Sequence, residues 1–554
     1  VIDHRLEISN AVKRHFSSYG PVNSQLHYYA PRTALIENIR QQLIGETSES
    51  GGRYITVWAP RQTGKTWVMQ QVVQEIREDR RFDALITTMQ SGKSMTTATS
   101  ILDLLVTNLR NQLNIDFPPI DTWGSLRTLF TSQTLKRPLI LILDEFDALP
   151  SEFIDAFVNE FRSIYSERQN EIDRQADEKT YWLHGLALIG VRSVLGVENV
   201  SGSPFNVQRS VRIPNLTNAE VAELFQSYQR ESGQAIDADV VERICYEMQG
   251  QPGLTCWLGE LLTETYNRTP DQPITMQEFD HAFLWAVKGL GNNNILNIVS
   301  KVKQEPYRQI ALSLFKTDRP IEFSFDDPLH NYLYLNGVID VESTPDNLYI
   351  KFSSPFVQKR LFFSFANEIF NRLGNLYQPF ENLGQIISED SLQVPALIRR
   401  YERYLGENRA WLFKDAPRRS TDLRIFEAVY HFNLYMYLVR FLENFQGQVT
   451  PEFPTGNGKI DLVIRYAGQI YGLEIKSFVN AYEYKRALDQ AAEYAHKLHL
   501  SEIFVVFFVE AVDEENRRRF EKGHVDVDRG VSVQSIFVTV GNQESVNHGQ
   551  SVGA

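Results

Sequence analysis

Short unbroken apolar runs along this chain alternate with stretches in which apolar residues recur three and four apart. YITVW from Tyr54, ALITT from Ala84, LILIL from Leu139 and LHGLALIG from Leu183 are the unbroken runs. Such runs fit strands buried on both faces, and the spaced stretches between them fit amphipathic helices, as from about Thr97 to Leu113. The alternation predicts an α/β fold with a parallel sheet. Helical spacing then takes over in NLTNAEVAELFQSYQ, where Thr217 and Glu220 form a capping box, and in a helix that stops at MQGQPGL. From about Asn294 to Phe365 the pattern is helix, short helix, two strands around the polar turn of YLNGVIDVESTPDNLYIKF, and a final helix. ALIRRYERYLGENRAWLFKDAPRRS bridges to a last block. That block reads as the helix DLRIFEAVYHFNLYMYLVRFL, the strand pair GKIDLVIRYAGQIYGLEIKSF, the helix YEYKRALDQAAEYAHKLHL and the strand SEIFVVFFVE.

Charges interrupt the strand pair. Glu474 and Lys476 are two apart and so leave one face of their strand, while Asp461 opens the antiparallel partner and comes close to Glu474. Two carboxylates at that separation repel unless a cation lies between them, and a hard divalent ion such as Mg²⁺ fits. By itself, Glu-x-Lys is also an ordinary solvated strand face, and Glu427, in the helix before, an ordinary solvent-facing acid. The order of elements, with Gln490 and Tyr494 four apart on the following helix, resembles the PD-(D/E)XK nuclease superfamily in its QxxxY branch. The likeness spans roughly the last quarter of the chain. It implies a restriction-endonuclease-like α/β/α domain that hydrolyses phosphodiester bonds, as an endo- or exodeoxyribonuclease using Mg²⁺ or Mn²⁺. Asp461 and Glu474 would hold the metal, Glu427 would add an acid to it or its water shell, and Lys476 would orient the attacking water. Gln490 and Tyr494 would position the nucleic-acid backbone or the lysine. Ile460 stands where the family has proline.

Upstream, APRQTGKT joins an apolar strand to an amphipathic helix at Gly64, Lys65 and Thr66, and resembles a Walker A loop with Ala59 in place of the first Gly. RPLILILDEFDALP supplies the matching Walker B strand. There Asp144 would bind Mg²⁺ through water and Glu145 would polarise the attacking water. The whole half resembles the AAA-like ATPases of the STAND and archaeal-ATPase type. The resemblance implies ATP as ligand, Arg192 as a γ-phosphate sensor, Gly250 and Pro252 of a helical lid against the nucleotide, and Tyr29, Pro31 and Arg32 near the adenine or the loop. The module after the lid resembles a winged helix. Its acidic segment FSFDDPLHNYLYL opposes phosphate contact and favours a structural role. The expected domains are an ATPase core at 1–205, a helical lid at 206–293, the winged helix at 294–365, a helical bridge at 366–420, the nuclease domain at 421–542 and a disordered tail at 543–554.

Composition narrows the picture. The 554 residues leave room for three or so domains, and 43% apolar residues is ample for ordinary cores. No run approaches the roughly 18 apolar residues of a membrane span, so no membrane partner is expected. VIDHRLEISN has no signal-peptide pattern, and its initial Val suggests a missing Met or a trimmed chain. Cys245 and Cys256 lack metal-like spacing and suit a reducing cytoplasm. A net charge of −13 excludes a protein coated with nucleic acid over its whole surface, so binding must be local, near RRYERY, KDAPRRS or NRRRFEK. The reading is a cytoplasmic, nucleotide-switched, Mg²⁺-dependent nuclease acting on nucleic acid, DNA foremost. It comes with a homo-oligomer and an activating partner as further expectations, and prokaryotic defence or mobile-element conflict as family analogy. The alternative is a STAND-like signalling scaffold whose nuclease-like domain only binds DNA or protein.

Overall fold

The computed structural model describes residues 14–20, 22–45, 52–175, 178–190, 209–315, 320–378, 381–421, 423–452, 461–478 and 480–541. The chain forms two compact units, Val1–Asn294 with Ser324–Gly337, and Ile295–Phe323 with Val338–Ala554. Among the described residues no helix is long and apolar enough to cross a membrane.

The first unit alternates α1 (Thr33–Ile44), β1 (Tyr54–Trp58), α2 (Lys65–Glu78), β2 (Asp83–Thr88), α3 (Ala98–Leu113), β3 (Leu139–Asp144), α4 (Ser151–Asn170), β4 (Leu183–Gly190) and β5 (Arg209–Arg212). The strands pair in the order β2-β3-β4-β1-β5, all parallel. Every residue of β1, β3 and β4 is buried, as strands covered on both faces must be. Ile39 and Leu43 of α1 with Val68 and Val72 of α2 cover one face, and Leu102 and Leu105 of α3 with Phe157 and Phe161 of α4 the other. Parallel strands all end on the same side, so Trp58, Thr88 and Asp144 open onto one crevice, where such sheets take their ligands.

Four helices follow: α5 (Asn218–Ser232), α6 (Ala238–Met248), α7 (Pro252–Glu260) and α8 (Met276–Leu284). The Thr217 side chain accepts from the Glu220 amide and the Glu220 side chain returns to the Thr217 amide, so the expected capping box starts α5. After α9 (Asn293–Val302) and α10 (Tyr307–Leu314), the segment holding α11 (Pro328–Leu335) belongs to the first unit. Its Tyr334 ring lies 5.8 Å from Trp58 and 4.8 Å below the Arg212 guanidinium.

The second unit continues with the hairpin β6 (Ile339–Ser343) and β7 (Leu348–Phe352), then α12 (Pro355–Ile369), α13 (Val394–Leu412) and α14 (Glu427–Glu443). β8 (Gln448–Glu452), β9 (Asp461–Tyr466), β10 (Gln469–Ser477), α15 (Ala481–Lys497), β11 (Glu502–Val509), α16 (Glu514–Phe520), β12 (His524–Asp526) and β13 (Val531–Thr539) complete it. One mixed sheet runs β12-β13-β11-β10-β9-β8, with β10, β11 and β13 parallel. Phe508 meets Tyr401 of α13 and Tyr430 and His431 of α14, whereas the adjacent Phe507 packs against Tyr484 of α15. Neighbouring strand residues point to opposite faces, so the helices sandwich the sheet in three layers.

Candidate nucleotide and metal sites

In the first unit the loop from Ala59 to Gly64 turns from β1 into α2. Gly64 sits at φ 82, a conformation that costs little only without a Cβ. Lys65 Nζ donates to the Ala59 and Pro60 carbonyls, each at 2.8 Å, and so bridges the loop internally. Burial pulls its ammonium down to about 8, against the nearby charges of Asp147 and Asp144. Thr66 Oγ1 donates to Asp144 Oδ2 at 2.6 Å, and Asp144 Oδ1 accepts from the Glu145 amide at 2.8 Å. A buried carboxylate and a hydroxyl side by side at a helix start suit a hard divalent cation bound with a polyphosphate. Glu145 is exposed, and its Oε2 accepts from Thr88 Oγ1 at 2.9 Å. Thr88 ends β2, next to β3, a partner that no local pattern marks.

The lid reaches the loop through Gln251 and Gly253. Gln251 Nε2 donates to the Arg61 carbonyl at 2.9 Å and the Gln62 carbonyl at 3.2 Å, and the Gly253 amide donates to Gln62 at 2.9 Å. A Cβ on Gly253 would stand 2.5 Å from the Gln62 Cβ, so only glycine allows this approach. Gly250, at φ 66, instead admits the Leu216 backbone, and Pro252 opens α7 in its first turn. The Tyr29 ring lies 5.1 Å from Trp67 of α2. Pro31 is exposed, while Arg32 is buried, with Nη2 donating to the Asn215 carbonyl at 3.2 Å and Nε 3.4 Å from Glu220. Arg32 therefore ties the N-terminal segment to the start of α5. Arg192 lies outside the described residues.

In the second unit β9 and β10 pair antiparallel with Asp461 opposite Glu474, the register that a two-residue turn enforces. Lys476 Nζ lies 2.8 Å from Glu474 Oε1, with the residues 8% and 2% exposed. Glu474 Oε2 is buried with no hydrogen-bond partner among the described residues. Such an orphaned carboxylate oxygen fits a cation, which would take it as ligand. The side chain of Asp461 lies outside the described residues, and among the described ones no group of three or more His, Cys, Asp or Glu could hold a metal ion. Glu474 stands opposite Val505, which packs under α15, so Glu474 and Lys476 face the layer that carries Gln490 and Tyr494, both half-buried. Glu427 opens α14 in the other layer, half-buried.

Three residues here escape sequence reading. His431, one turn after Glu427, is 4% exposed, and neither ring nitrogen has a hydrogen-bond partner among the described residues. Burial holds its imidazole down at about 4, with Glu427 pulling up and Lys476 pushing down, so His431 senses both charges from one end of the sheet. In the helical stripe of α14 it reads as one more core position. Glu452 ends β8 opposite Asp461, and Lys359 of α12 pairs with it at 3.6 Å.

The sequence matches a family model described as an AAA-like domain over residues 18–264. No curated protein matches it. Among solved structures, the Walker-type ATPase of Pyrococcus abyssi is 13% identical, with 62% of this chain and 99% of that one covered at a TM-score of 0.41. The ORC1 protein of Aeropyrum pernix in complex with DNA is 14% identical, covering 60% and 92% at a TM-score of 0.32. The RuvB Holliday junction branch migration motor of Thermotoga maritima is 15% identical, covering 58% and 92% at a TM-score of 0.32. At scores this low the likeness carries nothing about activity or partners. The family match, the parallel sheet and the Lys65, Thr66 and Asp144 cluster agree: the N-terminal part of this chain is an AAA-like P-loop ATPase domain.

Proposed function

We propose that the chain is a nucleotide-switched, divalent-metal-dependent nuclease, with ATP and Mg²⁺ at the P-loop and a phosphodiester-cleaving site in the second unit. The observation that carries the nuclease reading is the buried Glu474–Lys476 pair set opposite Asp461, with one carboxylate oxygen left over. A binding surface has no need to set a second acidic position opposite that buried pair in the strand register, because neighbouring carboxylates repel unless a cation lies between them. A bound Mg²⁺ or Mn²⁺ would supply Lewis acidity and a water made nucleophilic at neutral pH. Asp461 and Glu474 would hold that ion, and Glu427 would extend the acid set from α14. Lys476, oriented by Glu474, would place its ammonium beside the charge that builds on the phosphoryl oxygens. Gln490 and Tyr494 would hold the nucleic-acid backbone, DNA foremost.

At the P-loop, Lys65 would leave the Ala59 and Pro60 carbonyls for phosphate oxygens, and Thr66 and Asp144 would share the Mg²⁺ shell. Glu145, oriented by Thr88, would polarise the attacking water. In this reading the module after the lid is a winged helix that reports nucleotide state, and its α11, part of the first unit, sets Tyr334 5.8 Å from Trp58 at the end of β1. Incubating the purified protein with plasmid, single-stranded DNA and RNA, with and without Mg²⁺ and ATP, tests the whole reading. Divalent-dependent cutting is expected. Intact substrates under every condition would leave the second unit as a binding module.

A further inference from the structure

Two of the basic segments near the second site differ in what their cations do. In RRYERY, Arg399 donates to Glu402 at 2.9 Å, and Arg400, only 6% exposed, donates to Glu381 at 2.8 Å. In NRRRFEK, Arg517 is held in the same way, donating to Glu402 at 2.8 Å and to the Phe537 carbonyl at 3.1 Å. Arg518, Arg519 and Lys522 are exposed instead, without an ion-pair partner among the described residues. The Tyr484 hydroxyl of α15 donates to the Phe520 carbonyl at 2.5 Å, with the two rings 5.1 Å apart. That contact brings the first turns of α15 to the end of α16. Tyr482, 74% exposed, stands there with Lys485 and Arg486, which follow it by three and four residues and so share its helix face. Both are exposed and again lack an ion-pair partner among the described residues. Phe478, two residues after Lys476, lies 5.8 Å from Phe520 and 6.3 Å from Tyr484, which fixes this cluster at the end of the sheet where Lys476 lies. Asp489 and Glu493 continue the exposed face of α15, but they act on Arg529, in the turn before β13 at the opposite end. In a chain of net charge −13, five cations gathered without carboxylates repel one another unless a polyanion lies across them. A tyrosine ring held in solvent beside them offers a base a face to stack on.

We infer that Tyr482, Lys485, Arg486, Arg518, Arg519 and Lys522 form a surface for a single strand of nucleic acid, the cations holding its phosphates and Tyr482 stacking on a base. The inference rests on the nuclease reading above, and its test scores binding apart from cutting. The full-length, nucleotide-free protein is titrated in EDTA, over a range of salt, into a fluorescent single-stranded oligonucleotide and into the duplex of the same sequence, and anisotropy is read. Arg518→Gln with Arg519→Gln should weaken single-strand binding and flatten the slope of log K against log salt by about 1.4, at ~0.7 for each phosphate contact. Lys485→Gln with Arg486→Gln should do the same. Tyr482→Ala should weaken single-strand binding roughly five- to a hundredfold, the range of one lost base stack, and leave the slope unchanged. Arg440→Gln, at an exposed arginine of α14 paired with Glu443, is the charge control and should bind as wild type does. Wild-type affinity and slope in both paired variants, with wild-type circular dichroism, overturns the surface, and spares the nuclease reading where they still cut with Mg²⁺. Weakened binding in those variants beside a wild type that never cuts supports the surface and overturns the nuclease reading. Should one pair fail to fold, the other decides. Tyr482→Ala binding like wild type, with the paired variants weakened on duplex, overturns the single-strand assignment. Binding to phosphatidylserine vesicles and to neither oligonucleotide gives the patch to a membrane surface and overturns it outright.

Discussion

Thr66 donates a 2.6 Å hydrogen bond to Asp144, joining the start of α2 to the end of β3 across the nucleotide crevice. In the proposed reading both groups serve as Mg²⁺ ligands, because a hydroxyl and a carboxylate oxygen at that distance can be drawn into one shell. Lys65→Ala should weaken ATP binding by at least about 2 kcal/mol, roughly thirtyfold, through the loss of charged hydrogen bonds. Thr66→Ala and Asp144→Ala should lose the Mg²⁺ dependence of binding. Equal affinities in wild type and Lys65→Ala by calorimetry would remove the P-loop assignment.

The Lys65 ammonium, held down at about 8 by burial, makes binding pH-dependent. Bound phosphates would raise that value, so at high pH the protein must take up a proton to bind. Affinity should be flat below about pH 7 and fall above about 8, by up to about tenfold per pH unit. Calorimetry in buffers of different ionisation enthalpy reads the uptake directly. A flat affinity from pH 7 to 9.5 would contradict it.

Thr88 holds Glu145 at 2.9 Å, which orients the carboxylate without blocking it. Glu145→Gln should bind ATP normally and hydrolyse it about 10² to 10⁴ times more slowly, the range of a lost general base. Thr88→Val should lower the turnover rate and leave nucleotide affinity unchanged. A fall in affinity instead would give Thr88 a part in binding.

Cleavage of DNA, where divalent-dependent, should vanish in Asp461→Ala and Glu474→Ala. In Lys476→Ala it should fall while Mn²⁺ binding persists, because the lysine stabilises charge and is not a ligand. Full activity in a clean Asp461→Ala preparation would move the active site elsewhere.

Nucleotide state is expected to govern cleavage. Glu145→Gln, held with ATP, should shift the cleavage rate strongly in one direction, since ATP can move an equilibrium only through contacts that differ between states. Arg192→Ala, expected to remove the γ-phosphate contact, should erase that shift. Identical cutting by wild type and both variants, with and without ATP, would leave the two activities merely tethered.

Local chemistry made much of this legible. The Thr217–Glu220 box, the Gly64 turn into α2 and the Asp461–Glu474 register all depend on residues a few positions apart or joined by a two-residue turn. Steric and hydrogen-bonding rules at that range act whatever the rest of the chain does. Even the P-loop and its acidic strand were legible separately, each as an apolar run ending in the right groups. Other contacts had no signature. Thr88 meets Glu145 across 57 positions because β2 and β3 are neighbours in the sheet, and Gln251 reaches Arg61 across 190 because the lid folds back on the loop. Lys359, Glu452 and His431 are ordinary residues in ordinary helical and strand patterns. Their partners are chosen by which elements lie side by side, and that choice belongs to the burial of the whole core, a sum over many weak, non-directional contacts that no single stretch of sequence records.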